Sequence, residues 1–215
     1  MKVGILGTGD VGRSLGKGFV TLGHEVKLGG REAKNEKATA WANDVGPLAS
    51  NGTFADAAAF GELIVLATHG VAYESVLTAA GAQNLKGKVV IDTTNPLDFS
   101  KGMPPSLAVG HTDSGGEQVQ RFVPEARVVK AFNIVGNTSM FRPTFPDGPP
   151  DMLICGNDKA AKEQVTKVLH DFGWSNVTDL GSIQASRILE PLCIAWVLYG
   201  AVTGGWNHAF KIIKK

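Results

Sequence analysis

The chain has 215 residues, a formal net charge of +1, 43% hydrophobic residues and 19% charged residues. That balance can bury a full core, excludes wholesale disorder and offers no field for a nucleic-acid partner. The two cysteines, Cys155 and Cys193, and the five histidines show neither a disulfide framework nor the spacing of a metal site, so no metal is expected.

The elements alternate. KVGIL reads as a first strand, followed by a helix from about Asp10 to Leu22 and a second strand, EVKLG. Asn35 to Val45 reads as a helix, GTFADAAAFG as a short strand and short helix, ELIVLAT as a buried strand, then a helix to about Leu85 and a fifth strand, KVVIDTT. Residues Asn95 to Pro124 hold three prolines besides Pro124 and four glycines, and are expected to form a long loop. RVVKAF and DMLICG resume as strands, with a helix from Asp158 to Phe172, a strand NVTDLG, and a last helical region from about Ser182 that is kinked or restarted at Pro191. This order predicts an α/β fold: a Rossmann-type, doubly wound, mostly parallel sheet with a small C-terminal α/β extension. One domain over 1–215 is expected, with a dinucleotide-binding core at 1–125. Residues 126–215 would complete an acceptor site and an interface.

Between Pro191 and Phe210 no side chain carries a full charge. A membrane-spanning helix needs about 20 mostly apolar residues. This stretch starts on proline and contains three glycines, Thr203, Asn207 and His208. We read it as a buried helix at a core or subunit interface rather than a membrane span, and expect a homodimer with this segment at or beneath the interface. Met1 and Lys2 lead straight into VGILG, so no export signal and a cytoplasmic location are expected. The sequons at Asn51, Asn137 and Asn176 then have no significance.

The chemistry begins at GTGDVG, where Gly7, Gly9 and Gly12 form G-x-G-x-x-G between an apolar strand and a helix. In this context the first glycine makes a tight turn, the second admits a pyrophosphate and the third packs helix on strand, while helix N–H groups face the phosphates. Gly7, Thr8, Gly9, Asp10, Val11 and Gly12 are therefore expected at a dinucleotide. Where an NAD enzyme ends its second strand on an acid, this chain has Gly29, Gly30 and Arg31, followed by Lys34 and Lys37. A cation there suits a 2′-phosphate, so NADP(H) is the expected cofactor, with Gly30, Arg31 and Lys34 at that phosphate. GRSLG imitates a nucleophile elbow, but Ser14 falls inside the first helix.

Further candidates stand at strand C-terminal ends, where open α/β sheets bind ligands: Thr68 and His69, then Thr94, Asn95 and Pro96, then Phe132 and Asn133. Asn133 would otherwise cap a following helix. Neither Tyr73 nor Tyr199 has a lysine four residues on, so the short-chain dehydrogenase proton donor is missing and no catalytic residue is assigned. Arg187 and Glu190, three apart on a helix, read as a structural ion pair.

GILGTGDVGRSLGKGF, VVIDTTNPL, RVVKAFN and SRILEPL together resemble the family of coenzyme F-420-dependent NADP oxidoreductases, which includes the oxidoreductase domains of the STEAP metalloreductases. The resemblance implies pyrophosphate at Gly7 to Gly12, 2′-phosphate at Arg31, and His69, Asn95 and Asn133 near the nicotinamide. It also implies hydride exchange between NADPH and a ring acceptor: coenzyme F-420, or a flavin such as FMN or FAD. Reduction of a small carbonyl compound, or NADP binding by a sensor without turnover, are the alternatives.

Overall fold

The computed structural model describes residues 1–213 and 215. Its first half is β1 (Lys2–Leu6), α1 (Asp10–Thr21), β2 (Glu25–Gly30), α2 (Glu36–Val45), β3 (Ala49–Thr53), α3 (Phe54–Phe60), β4 (Leu63–Leu66), α4 (Tyr73–Ala80), α5 (Ala82–Leu85) and β5 (Val89–Asp92). Then come β6 (Leu97–Asp98), β7 (Ser106–Leu107), α6 (Gly115–Phe122), β8 (Arg127–Lys130), β9 (Asp151–Gly156), α7 (Lys159–Asp171), β10 (Asn176–Asp179) and α8 (Ser186–Thr203). Eight strands form one sheet in the order β10–β9–β8–β5–β4–β1–β2–β3. β1, β2, β3, β4, β5 and β8 are mutually parallel. β9 runs antiparallel to β8, and β10 runs parallel to β9. This is the expected doubly wound, mostly parallel sheet, with its switch point between β1 and β4.

Strands covered on both faces should be continuously apolar, and they are. Val3, Ile5 and Leu6 of β1 and Leu63 to Leu66 of β4 have no exposed surface. On one face, Phe172 at the end of α7 is the hub of an aromatic cluster. Its ring centroid is 4.7 Å from Phe19, 5.2 Å from Phe141 and 5.8 Å from Phe132. Edge and tilted contacts of this kind add directional preference to simple burial. On the other face Phe54, Leu77, Val119, Ile183 and Leu189 belong to a second core. Helix starts are locally encoded. Asn35 accepts from the Ala38 N–H, Thr53 and Asp56 form a reciprocal capping box, and Asp158 accepts from the Ala161 N–H.

Three expectations need correction. The helix after β4 is broken at Gly81 (φ +82°) into α4 and α5. The supposed loop from Asn95 to Pro124 contains an antiparallel pair, Leu97 with Leu107 and Asp98 with Ser106, and the helix α6. Ser114 caps α6 by accepting from the Glu117 N–H, a signal hidden by the glycines on either side. Finally, α8 runs unbroken through Pro191. Proline removes one helical hydrogen bond, but Pro191 lies on the exposed side, where water can take up the carbonyl it frees.

Only the first part of the uncharged 191–210 stretch is helical. After Gly204 (φ +70°) the chain turns back, with the Trp196 indole N–H donating to the His208 carbonyl at 2.9 Å and the His208 ring stacked on Trp196 at 4.6 Å. The outward face of α8 stays apolar: Ile188 is 63% exposed, Tyr199 56% and Val202 76%.

Candidate functional site

Three turns meet at the switch point. The β1–α1 turn is folded against β4: Gly7 has φ +142°, and a Cβ there would lie 2.1 Å from the Ala67 carbonyl oxygen. A Cβ on Gly12 would lie 2.5 Å from the Gly7 carbonyl oxygen, so the third glycine lets α1 close on the turn. Gly9 differs: a Cβ there would meet nothing within 4 Å. That space is what a pyrophosphate beside the α1 N-terminus requires. The end of β2 joins the same turn, because a Cβ on Gly30 would lie 3.2 Å from Thr8 Cγ2. Gly29 faces elsewhere. Its absent side chain makes room for Ala57 and Thr53, so its smallness serves α3 packing and not the ligand.

Arg31, Lys34 and Lys37 are not in ion pairs among the described residues, and Arg31 and Lys34 are exposed. Asp10, at the first position of α1, is an anion beside the expected phosphates. Its carboxylate is paired with Arg13 one turn on, so it is neutralised and its contribution to a phosphate would come from the backbone.

Thr68 and His69 follow β4, and His69 precedes a short 3₁₀ turn, Gly70–Ala72. Gly70 packs on the next strand end, since a Cβ there would lie 2.2 Å from the Asn95 carbonyl oxygen. Asn95 and Asn133 are joined side by side. Asn95 Nδ2 donates to the Asn133 carbonyl at 2.8 Å, and Asn133 Nδ2 donates to Asn95 Oδ1 at 2.9 Å and to the Leu189 carbonyl at 3.0 Å. Asn133 therefore braces three segments and caps no helix. Two buried oxygens near these turns, Thr68 Oγ1 and Asn133 Oδ1, have no hydrogen-bond partner among the described residues. Buried polar atoms are nearly always satisfied, so these two fit a ligand.

Three residues that sequence reasoning missed lie beneath the brace. Lys130, at the end of β8, has no exposed surface. Its Nζ is 2.8 Å from Asp92 Oδ2, 3.0 Å from Glu190 Oε1 and 2.7 Å from the Thr94 carbonyl. Glu190 also accepts from the Gly115 and Gly116 N–H groups at 2.9 Å each, and Asp92 Oδ1 accepts from the Thr94 N–H and hydroxyl at 2.9 and 2.7 Å. Burial alone would favour the neutral amine, but the two carboxylates outweigh it and raise the Lys130 pKa. Glu190 is thus not the partner of Arg187. Arg187 instead makes a forked pair with Glu117, at 2.6 and 2.8 Å, which lowers the Glu117 pKa.

Grooves are present among the described residues. One of about 810 Å³ lies between the β6–β7 segment and α8, lined by Pro105, Leu107, His111, Arg187, Ile188 and Pro191 among others. Another of about 660 Å³ separates α1 from α2; none of the strand-end residues lines either groove.

Residues 2–96 match the family described as NADP oxidoreductase, coenzyme F420-dependent. The chain is 31% identical over 207 residues to the F420-dependent NADP reductase of Methanocaldococcus jannaschii, covering 89% of each protein. The chain belongs to this family. It is also 32% identical to the metalloreductase STEAP3 of Rattus norvegicus over 89% of its own length, but spans only 36% of that protein. A crystal structure from Arthrobacter sp. FB24, described as a candidate F420-dependent NADP reductase, superposes with a TM-score of 0.95 at 43% identity over all of both chains. The residues present fit the family's dinucleotide. Gly9 leaves a space, Arg31 has no competing carboxylate partner among the described residues, and two orphaned oxygens stand at the strand ends.

Gly9→Val is expected to fold with an unchanged melting temperature and to lose NADPH binding, whereas Gly7→Val, forced into a positive φ against Ala67, should melt well below the parent. Fluorescence titration beside a thermal melt separates the two. Arg31→Ala should weaken NADPH by about 1.5–3 kcal/mol, roughly ten- to a hundredfold, and leave NADH nearly unchanged in the same titration.

Proposed function

We propose that this NADP-dependent oxidoreductase exchanges a hydride between NADPH and a planar ring acceptor, a deazaflavin of the coenzyme F-420 kind, held in the groove between the β6–β7 segment and α8. NADPH supplies the hydride from the C4 position of its nicotinamide. The chain's own residues bind and align. The glycine turn takes the pyrophosphate, Arg31 with Lys34 the 2′-phosphate, and the Asn95–Asn133 brace with Thr68 and His69 lines the nicotinamide end. The observation carrying the acceptor reading is the groove, together with the M. jannaschii relative that shares nearly its whole length. Its walls are largely apolar: Pro105, Leu107, Ile188 and Pro191 offer flat surface to a ring, while Arg187 and His111 offer polar edges. Close stacking of two rings makes rate depend on alignment more than on a proton donor, consistent with the missing tyrosine–lysine pair.

We infer further that the enzyme is a homodimer joined along α8. The segment Ile183–Thr203 is long and apolar enough to cross a membrane by length and composition, and about 33% of it is buried in the fold. Its inner side, however, holds Glu190 in a buried ion network and Arg187 on Glu117, which ties it to the protein. Ile188, Leu198, Tyr199 and Val202 remain outward, a face suited to a second copy rather than to lipid or nucleic acid.

Purified protein with NADPH is expected to reduce coenzyme F-420, and Leu107→Asp should lower kcat/KM for it about tenfold without changing NADPH affinity. Turnover of a small aldehyde or ketone, with none of F-420, FMN or FAD, would instead favour a carbonyl reductase; tight NADPH binding with no acceptor would favour a sensor. Light scattering should give a dimer mass at micromolar concentration, and Leu198→Lys with Val202→Lys a monomer that still binds NADPH.

A further inference from the structure

The buried ion network and the asparagine brace form two layers built from the same three segments. The lower layer is Asp92, Lys130 and Glu190. The upper layer is Asn95, Asn133 and the Leu189 carbonyl. Asn95 and Asn133 each stand three residues beyond their partner below, and Leu189 is next to Glu190. Between the layers Phe132 takes a left-handed conformation, φ +63°, which a bulky side chain rarely adopts. Such a conformation persists only where the surroundings dictate it.

We infer that Lys130, Asp92 and Glu190 are the positioning residues for the nicotinamide end of the cofactor site, acting through Thr94, Asn95 and Asn133. The Lys130 ammonium donates to the Thr94 carbonyl and is ion-paired with Asp92 and Glu190; with no exposed surface, it does not itself reach a ligand. Asp92 holds Thr94 from both its N–H and its hydroxyl, which sets where Asn95 begins. The Asn95 carbonyl in turn lies under Gly70, so the turn bearing His69 is set by the same chain of contacts. Two carboxylates and one ammonium leave a net negative charge in the core. The partial positive charge of the α6 N-terminus, through the Gly115 and Gly116 N–H groups, offsets it. A buried ionic cluster of this kind is seldom the most stabilising filling of a core, and one use for it is to fix a single geometry.

The inference rests on the NADP reading of the cleft. It is tested in the full chain with Glu190→Gln and with the neutral combination Lys130→Met, Asp92→Asn and Glu190→Gln. Each is titrated with NADPH and with 2′,5′-ADP, which carries the 2′-phosphate but no nicotinamide, and each is melted. Both variants are expected to bind 2′,5′-ADP within about twofold of the parent, to bind NADPH about tenfold more weakly, and to lose up to about a hundredfold in kcat with any acceptor the parent reduces. Equal weakening of both ligands, no weakening of either, or failure of the neutral variant to fold would overturn the inference and leave the network a structural role alone. A parent protein that binds neither ligand would remove the NADP reading itself, and the inference with it.

Discussion

A lysine with no exposed surface constrains the rest of this fold. An ammonium buried without partners would cost several kcal/mol even after relaxation. Lys130 can sit at the end of β8 only because Asp92 and Glu190 come to it, one from the neighbouring strand and one from a helix 60 residues away in sequence. Each of those carboxylates has its own demands, met by the Thr94 turn and by the start of α6. Removing one member of such a cluster typically costs about 3–5 kcal/mol, a large share of the ~5–15 kcal/mol net stability of a domain. The docking of α8 and α6, and the path of the chain out of β5 and β8, are thus fixed together. The antiparallel addition of β9 and β10 completes a sheet whose ligand-facing edge this cluster has already arranged.

On the proposed reading, selection between cofactors rests on separate charges at the opposite end of the cleft. Asp10 would repel a pyrophosphate, but Arg13 neutralises it within α1. Arg31 and Lys34 have no ion-pair partner among the described residues, so their charge is available to a 2′-phosphate. Screening would then let the two ends be tuned independently. Surface charges in water are screened over about 8–10 Å at physiological salt, while the buried cluster is not. The proposed adenine end would then discriminate by solvent-exposed cations without disturbing the geometry at the proposed nicotinamide end.

What was legible in the sequence follows from the same division. The glycine turn, the basic end of β2 and the individual strands are local signals, written in a few adjacent residues, and each reappears in the fold. Asn95 and Asn133 could be placed at strand ends but not joined, because their pairing crosses 38 residues. Lys130 could not be singled out at all. In RVVKAF it reads as one polar residue in an apolar strand, and its partners lie 38 and 60 residues away. Glu190 was misread for a related reason. An i,i+3 neighbour of opposite sign is visible in sequence, yet an exposed pair of that spacing contributes a few tenths of a kcal/mol, too little to compete with a buried ammonium and two backbone donors. The hairpin and α6 were hidden by glycines and prolines that signal irregular chain when their tertiary partners are unknown.

The helix α8 joins these levels. Its inner side holds Glu190 and the Leu189 carbonyl in the two layers beneath the cleft. Its flank, at Arg187, Ile188 and Pro191, walls the groove. Its outer side carries an uncharged apolar face toward Val202. A displacement of this helix by a fraction of an ångström would move the brace and the groove wall together. Hydride transfer between stacked rings is steeply sensitive to such displacements, so in the proposed dimer a helix pinned by ions on one side and covered by a second copy on the other would hold NADPH and the proposed ring acceptor in one register. Pinning by charge also suits the location, because hydrogen-bonded ions have defined directions, whereas apolar contacts allow neighbouring helices to slide and repack.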